Sequence, residues 1–599
     1  MNQHNHAEKI AQLAIMEDIY RSAARVRIWL GKLSPARDKQ LGGLQDVASW
    51  SDAEITRSNS SEPLPVARTN SMRERLIFSM GTFMTAAWQL AQCEFASMFL
   101  SNRCFMRAWT LQEFVLASDA VFDIGGVEVD HETLTKGAKN LATFLERSIY
   151  ITLLYGYRDD FDLCERSYLE TLQAMFSERT NFHENGRRYT AEKYLRIIRQ
   201  RDVTYAKDKI FAGAALLQSY NAPSYDLTSW EVYIKFASEG LWPELGNQAL
   251  GYVGGMKPTI EGLPSWVPDL NTPLSPEPMK RSGSMVLKFP VPAKDPSYTI
   301  DGTKLIVSAA QWITVKATGE SGWAWRLYAD ESYNHVDAQG RSRKSSNSVN
   351  DELFGLMFNL LNQVGLLYDR TNEMTFDVMW QIFIGGLHDS TEEEKTMWRT
   401  CFRRFFAFQV CTLRSAAYME ANPTLPLKLM DKKIGKRWWV VPVIADMSQM
   451  EQRLARFLDM HDKDNKLRDE MVQFQRMVWG ADTIVEATAW AQAGGNLIAD
   501  NIDSAYLTDV TTFLQRFIRC YEGRRILITE NGYLGSGLED TRPGDVVCFI
   551  SGTQVPHILR PVPGKQSTFT LVGEAYIHGI MDNGNLDFTS MNFNQVTIV

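Results

Sequence analysis

Trp109, Gln112 and Glu113 are the residues of this sequence whose types and spacing could do chemistry. Spacings of three and four residues place them on one face of a helix, which the pattern predicts over residues 105–117. On that otherwise apolar face, desolvation would raise the pKa of the Glu113 carboxyl toward a range useful for acid–base work. Alternatively, Trp109 belongs to the core and the two polar side chains hydrogen-bond neighbouring backbone groups. The structural interpretation is favoured, and Glu113 is the candidate catalytic carboxylate of the other.

Two stretches of the chain repeat the order helix, then strand. In the first, an amphipathic helix begins near His6, and a β-rich run from Val26 to Leu30 ends at Gly31. In the second, the helix of residues 105–117 leads into a β-rich run over residues 120–124. Two successive units of this kind predict an α/β fold with a partly parallel sheet.

The first helix carries an apolar stripe that must face a core. Its members are Ile10, Leu13, Met16 or Ile15, Ile19, Tyr20 and Ala23. Asn2 and Gln3 precede this helix, and two interpretations apply to them as well. They line a pocket together with Trp109, Gln112 and Glu113, or they cap or bridge at the edge of the sheet.

The amino-acid composition and the net charge limit the classes of protein to which this chain can belong. The 599 residues are 45% hydrophobic and 22% charged, which is typical of a folded globular chain with several cores. A formal net charge of -8 gives no general attraction to phosphate backbones or anionic lipid, so nucleic acid is not expected as a partner. Apolar runs fall short of the roughly 20 residues that a membrane-spanning helix requires, and no span is predicted.

The seven cysteines are scattered, and none is spaced as C-x-x-C. This pattern favours reduced thiols in a cytoplasmic protein, and it predicts neither a zinc site nor a disulfide framework. Gly532, Gly535 and Gly537 do not predict a phosphate loop, because a turn at residues 541–544 follows them where a helix N-terminus is needed. We therefore expect no cofactor and no metal.

The N-terminal residues resemble the fungal heterokaryon-incompatibility (HET) domain. The residues that carry the resemblance are Asn2-Gln3, Glu8-Lys9, Gln12, Met16, Ile19-Tyr20, Ala23-Ala24, Val26 and Trp29-Leu30-Gly31. In the family, a sizeable stretch with a Trp-x-Asp-x-x-Cys segment precedes the Asn-Gln box. The resemblance therefore implies that the N-terminal part of the domain is missing here.

Further boxes along the chain resemble the same family. Trp109 to Glu113 is similar to its Trp-x-x-Gln-Glu box, and residues 201–212 are similar to a block that contains Arg201, Asp202, Asp208 and Lys209. We expect Asp208 and Lys209 to form a solvated ion pair. Pro264-Ser265-Trp266-Val267-Pro268-Asp269 resembles a segment that usually follows the domain in this family. The C-terminal module of such proteins is resembled by four segments, Gly532 to Gly535, Arg542 to Asp545, Leu559 to Pro561 and Gly573 to Met581.

Four regions are expected. Residues 1–220 form the partial HET domain, with a solvated insertion loop at about 34–73, and residues 221–297 form a junction and a Pro-rich linker. Residues 298–520 are mainly helical. Residues 521–599, with an Asn531-Gly532 turn between β-rich runs, form a small antiparallel β module, either a barrel or a sandwich.

The resemblance implies a fold distantly similar to the TIR domain and a function in fungal non-self recognition. Such a protein triggers programmed cell death when incompatible cells fuse, through signalling or assembly with itself or with another incompatibility factor. The alternatives are a TIR-like hydrolase of a nucleotide such as NAD, acting through Glu113, or a truncated and inactive copy. Fold-level analogy is a weak basis for chemistry, so the signalling function is favoured over the enzyme.

Overall fold

The computed structural model describes residues 15–51, 91–155, 166–186, 188–218, 224–254, 258–272, 277–282, 284, 286–287, 291–292, 298–321, 335–336, 342–343, 364–387, 390–421, 447–479, 504–521, 523–581 and 586–599. The chain divides into two compact units. The first is Met1–Glu244 with Leu270–Pro273, and the second is Leu245–Asp269 with Leu274–Val599.

The first unit combines a three-stranded sheet with helices. Residues 15–22 and 91–100 are helical. The strands are β1 (Val26–Gly31), β2 (Ala120–Ile124) and β3 (Val127–Val129). The helices are α1 (Pro35–Ser49), α2 (Arg103–Met106), α3 (Ala108–Leu116), α4 (His131–Tyr155), α5 (Arg166–Asn185), α6 (Ala191–Arg199), α7 (Asp208–Phe211) and α8 (Ser229–Phe236), with a 3-10 turn at Ala214–Leu216, a π-helical turn at Ala237–Leu241 and α9 (Trp242–Leu245) after them.

The parallel sheet predicted from the two helix–strand units is present. β1 and β2 are parallel, with Val26 opposite Ala120, and β3 returns antiparallel beside β2. On one face, Ile28 and Leu30 are buried with Phe122, whose ring lies 5.3 Å from the ring of Phe114 on α3. That face is therefore the core side, and α3, the helix that leads into β2, packs on it.

Part of the expected insertion loop is a helix. Residues 35–49 form α1, which Ser34 caps by accepting a hydrogen bond from the Arg37 N–H. Leu41, Leu44 and Val47 bury its inner face. The prediction of a solvated loop is wrong for this stretch, because the Ser-Pro start signal and the apolar spacing outweigh its polar composition. The rest of the loop, residues 52–73, lies outside the described residues.

The predicted apolar stripe of the first helix is only partly internal. Met16 is buried and Tyr20 is half-buried, but Ile15 and Ile19 are each about half exposed. The inward face therefore passes through residues 16 and 20, one helical turn apart. Ile10 and Leu13 lie outside the described residues.

The second unit contains a helical region and a large sheet. Its strands are β4 (Tyr298–Asp301), β5 (Lys304–Ser321), β6 (His335–Val336), β7 (Ser342–Arg343), β8 (Leu367–Tyr368), β9 (Glu373–Met374), β10 (Arg524–Thr529), β11 (Leu534–Leu538), β12 (Val546–Ile550), β13 (His557–Pro561), β14 (Thr568–Glu574), β15 (Tyr576–Ile577) and β16 (Asn594–Ile598). Its helices are a 3-10 helix at Gly246–Tyr252, α10 (Met279–Ser282), α11 (Thr375–Phe383), α12 (Glu392–Ala421), α13 (Met447–His461), α14 (Lys466–Trp479) and α15 (Ser504–Tyr521).

β5 organises the sheet of the second unit. Through its 18 residues it pairs with β4, β10, β12 and β16. The pairings β5–β12–β13–β14–β16–β5 close a ring, so these five strands form a barrel, antiparallel except where β14 runs parallel to β16. The far end of β5 continues into β10, β11 and β15. Of the two arrangements predicted for the C-terminal strands, the barrel is observed, but it includes β5, which lies before the boundary expected at residue 520.

The Pro-rich segment is not a free linker where it is described. The backbone N–H groups of Leu287 and Val291 donate to the carbonyls of Gln554 and Thr553, at 2.7 and 2.9 Å, and both side chains are buried. Trp266, from the Pro-Ser-Trp-Val-Pro strip, is fully buried and donates from Nε1 to the Thr303 carbonyl at 3.0 Å. These segments belong to the packing of the second unit itself.

Candidate functional site

The Trp109–Glu113 box lies on α3, and its carboxyl meets a tyrosine from the first helix. The Tyr20 hydroxyl donates to Oε1 of Glu113 at 3.1 Å. Each of these residues lies in the second half of a helix that leads into a parallel strand, Tyr20 before β1 and Glu113 before β2. The contact therefore joins the two helix–strand units side by side.

Burial sets the proton affinity of this pair. It raises the pKa of the Glu113 carboxyl, against the opposing effects of the Tyr20 hydrogen bond and of the positive charge of Arg107. It also raises the pKa of Tyr20, and the neighbouring Glu113 charge adds to that shift. Tyr20 therefore stays protonated, and Glu113 can take up a proton more easily than an exposed carboxyl can.

The thiol of Cys104 lies within the electrostatic influence of Glu113. Burial raises its pKa, and the charge of Glu113 raises it further, while the hydroxyl of Thr110, 3.9 Å from Sγ, opposes the shift. The thiolate is the nucleophilic form of cysteine, so this environment suppresses nucleophilic reactivity. Among the residues described by the structure, no group of three or more His, Cys, Asp or Glu side chains could hold a metal ion. Within the described residues, the site can hold a proton at Glu113, and the Cys104 thiol is not activated as a nucleophile.

The carboxyl end of β1, where α/β sheets usually bind ligands, is occupied by side chains of the protein itself. The Leu30 carbonyl accepts hydrogen bonds from Nη1 of Arg37 at 2.5 Å and from Nδ2 of Asn102 at 2.9 Å. Gly31 follows with φ of +112°, and a Cβ there would collide with Nη1 of Arg37. Glycine is thus required at the end of the Trp-Leu-Gly strand.

A second segment, residues 201–202, is hydrogen-bonded to the backbone around the start of α3. Nη1 of Arg201 donates to the Phe105 carbonyl at 2.8 Å. The Asp202 N–H donates to the Met106 carbonyl at 2.6 Å, and the Asp202 carbonyl accepts from the Ala108 N–H at 3.0 Å. These bonds hold Arg107 in an extended conformation, so the helix predicted over residues 105–117 is two helices, α2 and α3. We call residues 201–202 with residues 105–108 the clasp.

Asp208 and Lys209 are not a solvated ion pair, because each side chain is only 4% exposed. Nζ of Lys209 donates to the carbonyls of Arg199 and Leu270, at 2.7 and 2.8 Å. Oδ1 of Asp208 accepts from the Tyr225 hydroxyl at 2.5 Å. A buried charge must be satisfied by hydrogen bonds, and here backbone carbonyls serve the cation. The bond from Lys209 also joins Leu270 to the first unit.

The predicted site residues are only partly brought together. Gln112 is 3% exposed, and its Oε1 makes no hydrogen bond within the described part of the chain. Trp109 is half-buried, so its expected place in the core is wrong: on α3 the inward face runs through Leu111, Phe114 and Val115 instead. Asn2 and Gln3 lie outside the described residues. Tyr20, Arg107 and Arg201 were not predicted as site residues, and no local spacing links them to Glu113.

Comparison with known proteins finds one family match in the N-terminal part of the chain and another in the C-terminal part. The family model described as "Heterokaryon incompatibility protein (HET)" matches residues 1–113, which end at Glu113. The model described as "Het-6 beta-barrel domain" matches residues 436–592. The chain thus carries a HET-type segment at residues 1–113 and a Het-6-type barrel segment at residues 436–592.

A relative aligns with nearly the whole chain. It is "Heterokaryon incompatibility protein 6, OR allele" of Neurospora crassa, 24% identical over 616 aligned positions that cover 97% of this chain and 80% of the relative. No solved structure matches the chain. Within the described residues, no helix has both the length and the apolar character needed to cross a membrane.

The segment Gly573 to Met581, which we call the C-terminal box, takes part in a buried ion pair. Arg524 at the start of β10 lies 3.7 Å from Glu574 on β14, between Nη2 and Oε2. Nη1 of Arg524 also donates to the Glu574 carbonyl at 3.0 Å, and the Met279 N–H donates to Oε2 at 2.7 Å. Burial raises the pKa of the Glu574 carboxyl, while Arg524 and the Met279 N–H oppose the shift. The box ties the barrel to the Pro-rich segment.

The same box carries a chain of three hydrogen-bonded side chains. Nε2 of His578 lies 2.7 Å from Oε2 of Glu373 on β9, and Nδ1 lies 3.0 Å from the Tyr576 hydroxyl. The Glu373 carboxylate also accepts from Thr371 at 2.5 Å and from Gln381 at 3.0 Å. An ionised carboxylate only accepts, so Nε2 of His578 carries a proton. Tyr576 and His578 are buried, which favours a structural role that joins the β8–β9 hairpin to the barrel.

We expect this contact to be lost in acid. Burial alone would raise the pKa of Glu373, but His578, Thr371 and Gln381 outweigh it and lower the pKa to about 2. A carboxyl with a depressed pKa stabilises the fold above its unfolded pKa, and this contribution disappears as the pH falls from about 4.5 toward 2. After allowance for the exposed part of the carboxyl, it amounts to about 1 to 2 kcal/mol.

The measurement is the urea unfolding free energy of the wild type and of Glu373→Gln across this pH range. Since the glutamine side chain of the variant does not titrate, we expect the difference between the two proteins to shrink as the pH falls. A difference that is independent of pH would contradict the prediction. The exposed change Glu530→Gln serves as a control for the general effect of removing one carboxyl.

Proposed function

We propose that this protein acts in fungal heterokaryon incompatibility, as a cytoplasmic signalling protein that triggers programmed cell death by assembly of its HET domain. Its partners are further copies of itself or another incompatibility factor. The observation that carries the proposal is the match of both ends of the chain to HET-type families, together with a relative named for heterokaryon incompatibility that aligns over 97% of the chain.

The geometry around Glu113 supports assembly rather than catalysis. Helices that lead into parallel strands through short turns end at the amino edge of the sheet, and Tyr20 and Glu113 lie toward that end. Ligands of α/β sheets bind at the opposite, carboxyl edge. There, Arg37 and Asn102 already occupy the end of β1. The Tyr20–Glu113 contact serves to fix two helices against each other.

A second candidate function is hydrolysis of a nucleotide such as NAD on a TIR-like fold. One observation favours it: burial raises the pKa of Glu113, as it does for many catalytic carboxyl groups. Structural contacts perturb pKa values in the same direction, so this observation alone does not outweigh the position of the site.

Induced expression in a fungal host separates the two functions. We expect the wild type to kill cells without a fall in cellular NAD, and Glu113→Gln to kill equally well. The amide oxygen of the introduced glutamine would still accept the Tyr20 hydrogen bond, so the fold should lose no more than about 1 kcal/mol. An amide cannot act as an acid or base, so an enzyme would lose its activity.

The amounts of protein are matched by immunoblot, and the exposed change Glu239→Gln is the control. Death together with NAD loss, both abolished by Glu113→Gln alone, would establish the hydrolase and contradict signalling by assembly. An absence of death with abundant folded wild type would contradict the proposed function and favour an inactive copy.

A further inference from the structure

The face of the three-stranded sheet opposite α3 is charged and carries an exposed tryptophan. Sheet register places Trp29, Asp123 and Glu128 side by side on this face, because Trp29 pairs with Asp123 and Asp123 pairs with Glu128. Arg27 lies two residues before Trp29 and so shares its face, and the flanking residues Arg25 and Asp119 continue the alternation. We call these six residues the charged face.

Apart from the buried Asp123, the charged face is accessible, whereas a parallel sheet is normally covered on both faces. Trp29 is 61% exposed, the largest fraction among the exposed large apolar side chains of the described residues. The side chains of Arg25 and Arg27 are 49% and 54% exposed. Sheets with parallel strands usually have both faces buried, and exposed tryptophan and arginine are the residues most often found at the centre of protein interfaces. These features point to a protein partner.

The charges on this face are segregated by strand. The basic residues Arg25 and Arg27 belong to β1 and its approach, and the acids Asp119, Asp123 and Glu128 belong to β2, its approach and β3. Within one chain they already form a ladder: Arg27 lies 2.9 Å from Asp123 and 2.7 Å from Glu128, and Arg25 lies 2.5 Å from Asp119. The face therefore has a basic side and an acidic side, with Trp29 on the basic strand.

We propose that the charged face binds the charged face of a second copy of this chain. A twofold axis parallel to the strands inverts their left-to-right order. The basic strand of each copy then lies over the acidic strands of the other copy. Two sheets stacked face to face are about 10 Å apart, a gap that side chains from both copies fill. Trp29 of each copy is then buried between the sheets. This inference rests on the proposed function and names the surface of assembly.

Charge reversal provides the test, on the full chain by sedimentation velocity. An acidic variant carries Arg25→Glu and Arg27→Glu, and a basic variant carries Asp119→Lys and Glu128→Lys. Each variant alone places like charges in contact across the interface, and we expect its self-association to weaken by about 100-fold relative to the wild type. Mixed in equal amounts, the two variants are complementary, and we expect the dimer to return.

Recovery on mixing separates association from folding, because the ion pairs that each variant has lost within its own chain stay lost in the mixture. The matched control is Lys136→Glu with Lys235→Glu, which reverses two exposed charges of the first unit and breaks two surface pairs. The control should associate like the wild type. Should the acidic variant fail to fold, Trp29→Ala replaces it, and its self-association should likewise be lost.

Three results would overturn the inference: a wild type that is monomeric up to the highest attainable concentration, variants that dimerise like the wild type, or a mixture that stays monomeric. Cell death that persists in a variant unable to dimerise would overturn the inference that this interface is the surface of assembly that signals, while leaving the function in incompatibility standing. A dimer that forms as described without any cell death would instead contradict the proposed function and leave the interface intact.

Discussion

Glu574→Ala is expected to lower the free energy of unfolding of the second unit by about 3 to 5 kcal/mol. The change leaves the guanidinium of Arg524, which is 2% exposed, without its carboxylate, and it also frees the N–H of Met279. Breaking a buried ion pair by removing one partner is costly because the remaining charge stays desolvated. The measurement is urea unfolding of the full chain, with the barrel strands followed by hydrogen exchange.

Two further variants test the reason for that loss. Replacing both members, with Arg524→Met and Glu574→Met, removes the uncompensated charge and should restore most of the stability. The exposed change Glu530→Ala should alter stability by no more than about 0.5 kcal/mol. A double variant as unstable as Glu574→Ala would mean that the loss comes from packing in the box rather than from the buried charge.

Arg201→Met should open the clasp and lower the activity in incompatibility several-fold through a smaller amount of folded protein. The guanidinium is 1% exposed and donates to the Phe105 carbonyl, which would be left buried without this partner. A lost hydrogen bond to a charged group costs about 1.5 to 3 kcal/mol. Because the clasp fixes the start of α3, the amides of residues 108–116 should exchange faster with solvent than in the wild type, and less folded domain should accumulate in cells.

Arg103 is the matched control for Arg201. Its side chain is 91% exposed and lies 3.8 Å from the Asp202 carboxylate, so Arg103→Met should change stability by less than about 1 kcal/mol. Equally fast amide hydrogen exchange of α3 in both variants would contradict this role of the clasp. It would show that positive charge near Asp202 matters rather than the buried hydrogen bond to Phe105.

Several elements of this protein could be predicted because their signals are local. The alternation of β1, β2 and the C-terminal strands is written in neighbouring residues, and so is the Asn531-Gly532 turn between β10 and β11. The parallel pairing of β1 with β2 followed from two repeated helix–strand units. By contrast, α1 was missed although its cap and its apolar spacing are local, because the polar composition of its surroundings concealed them.

The amino-acid sequence by itself determined the family boxes, most strand positions and the parallel start of the first unit. Only the tertiary structure decided what the boxes do. Four features join residues far apart in the chain: the burial of Lys209, the clasp of Arg201 on Phe105, the Tyr20–Glu113 contact, and the pairing of β5 with β10, β12 and β16. The role of a buried polar group depends on its hydrogen-bond partner, and the place of a strand in a sheet depends on the strands beside it. Neither is encoded in the spacing of nearby residues, which reports only which side of a helix or strand is apolar.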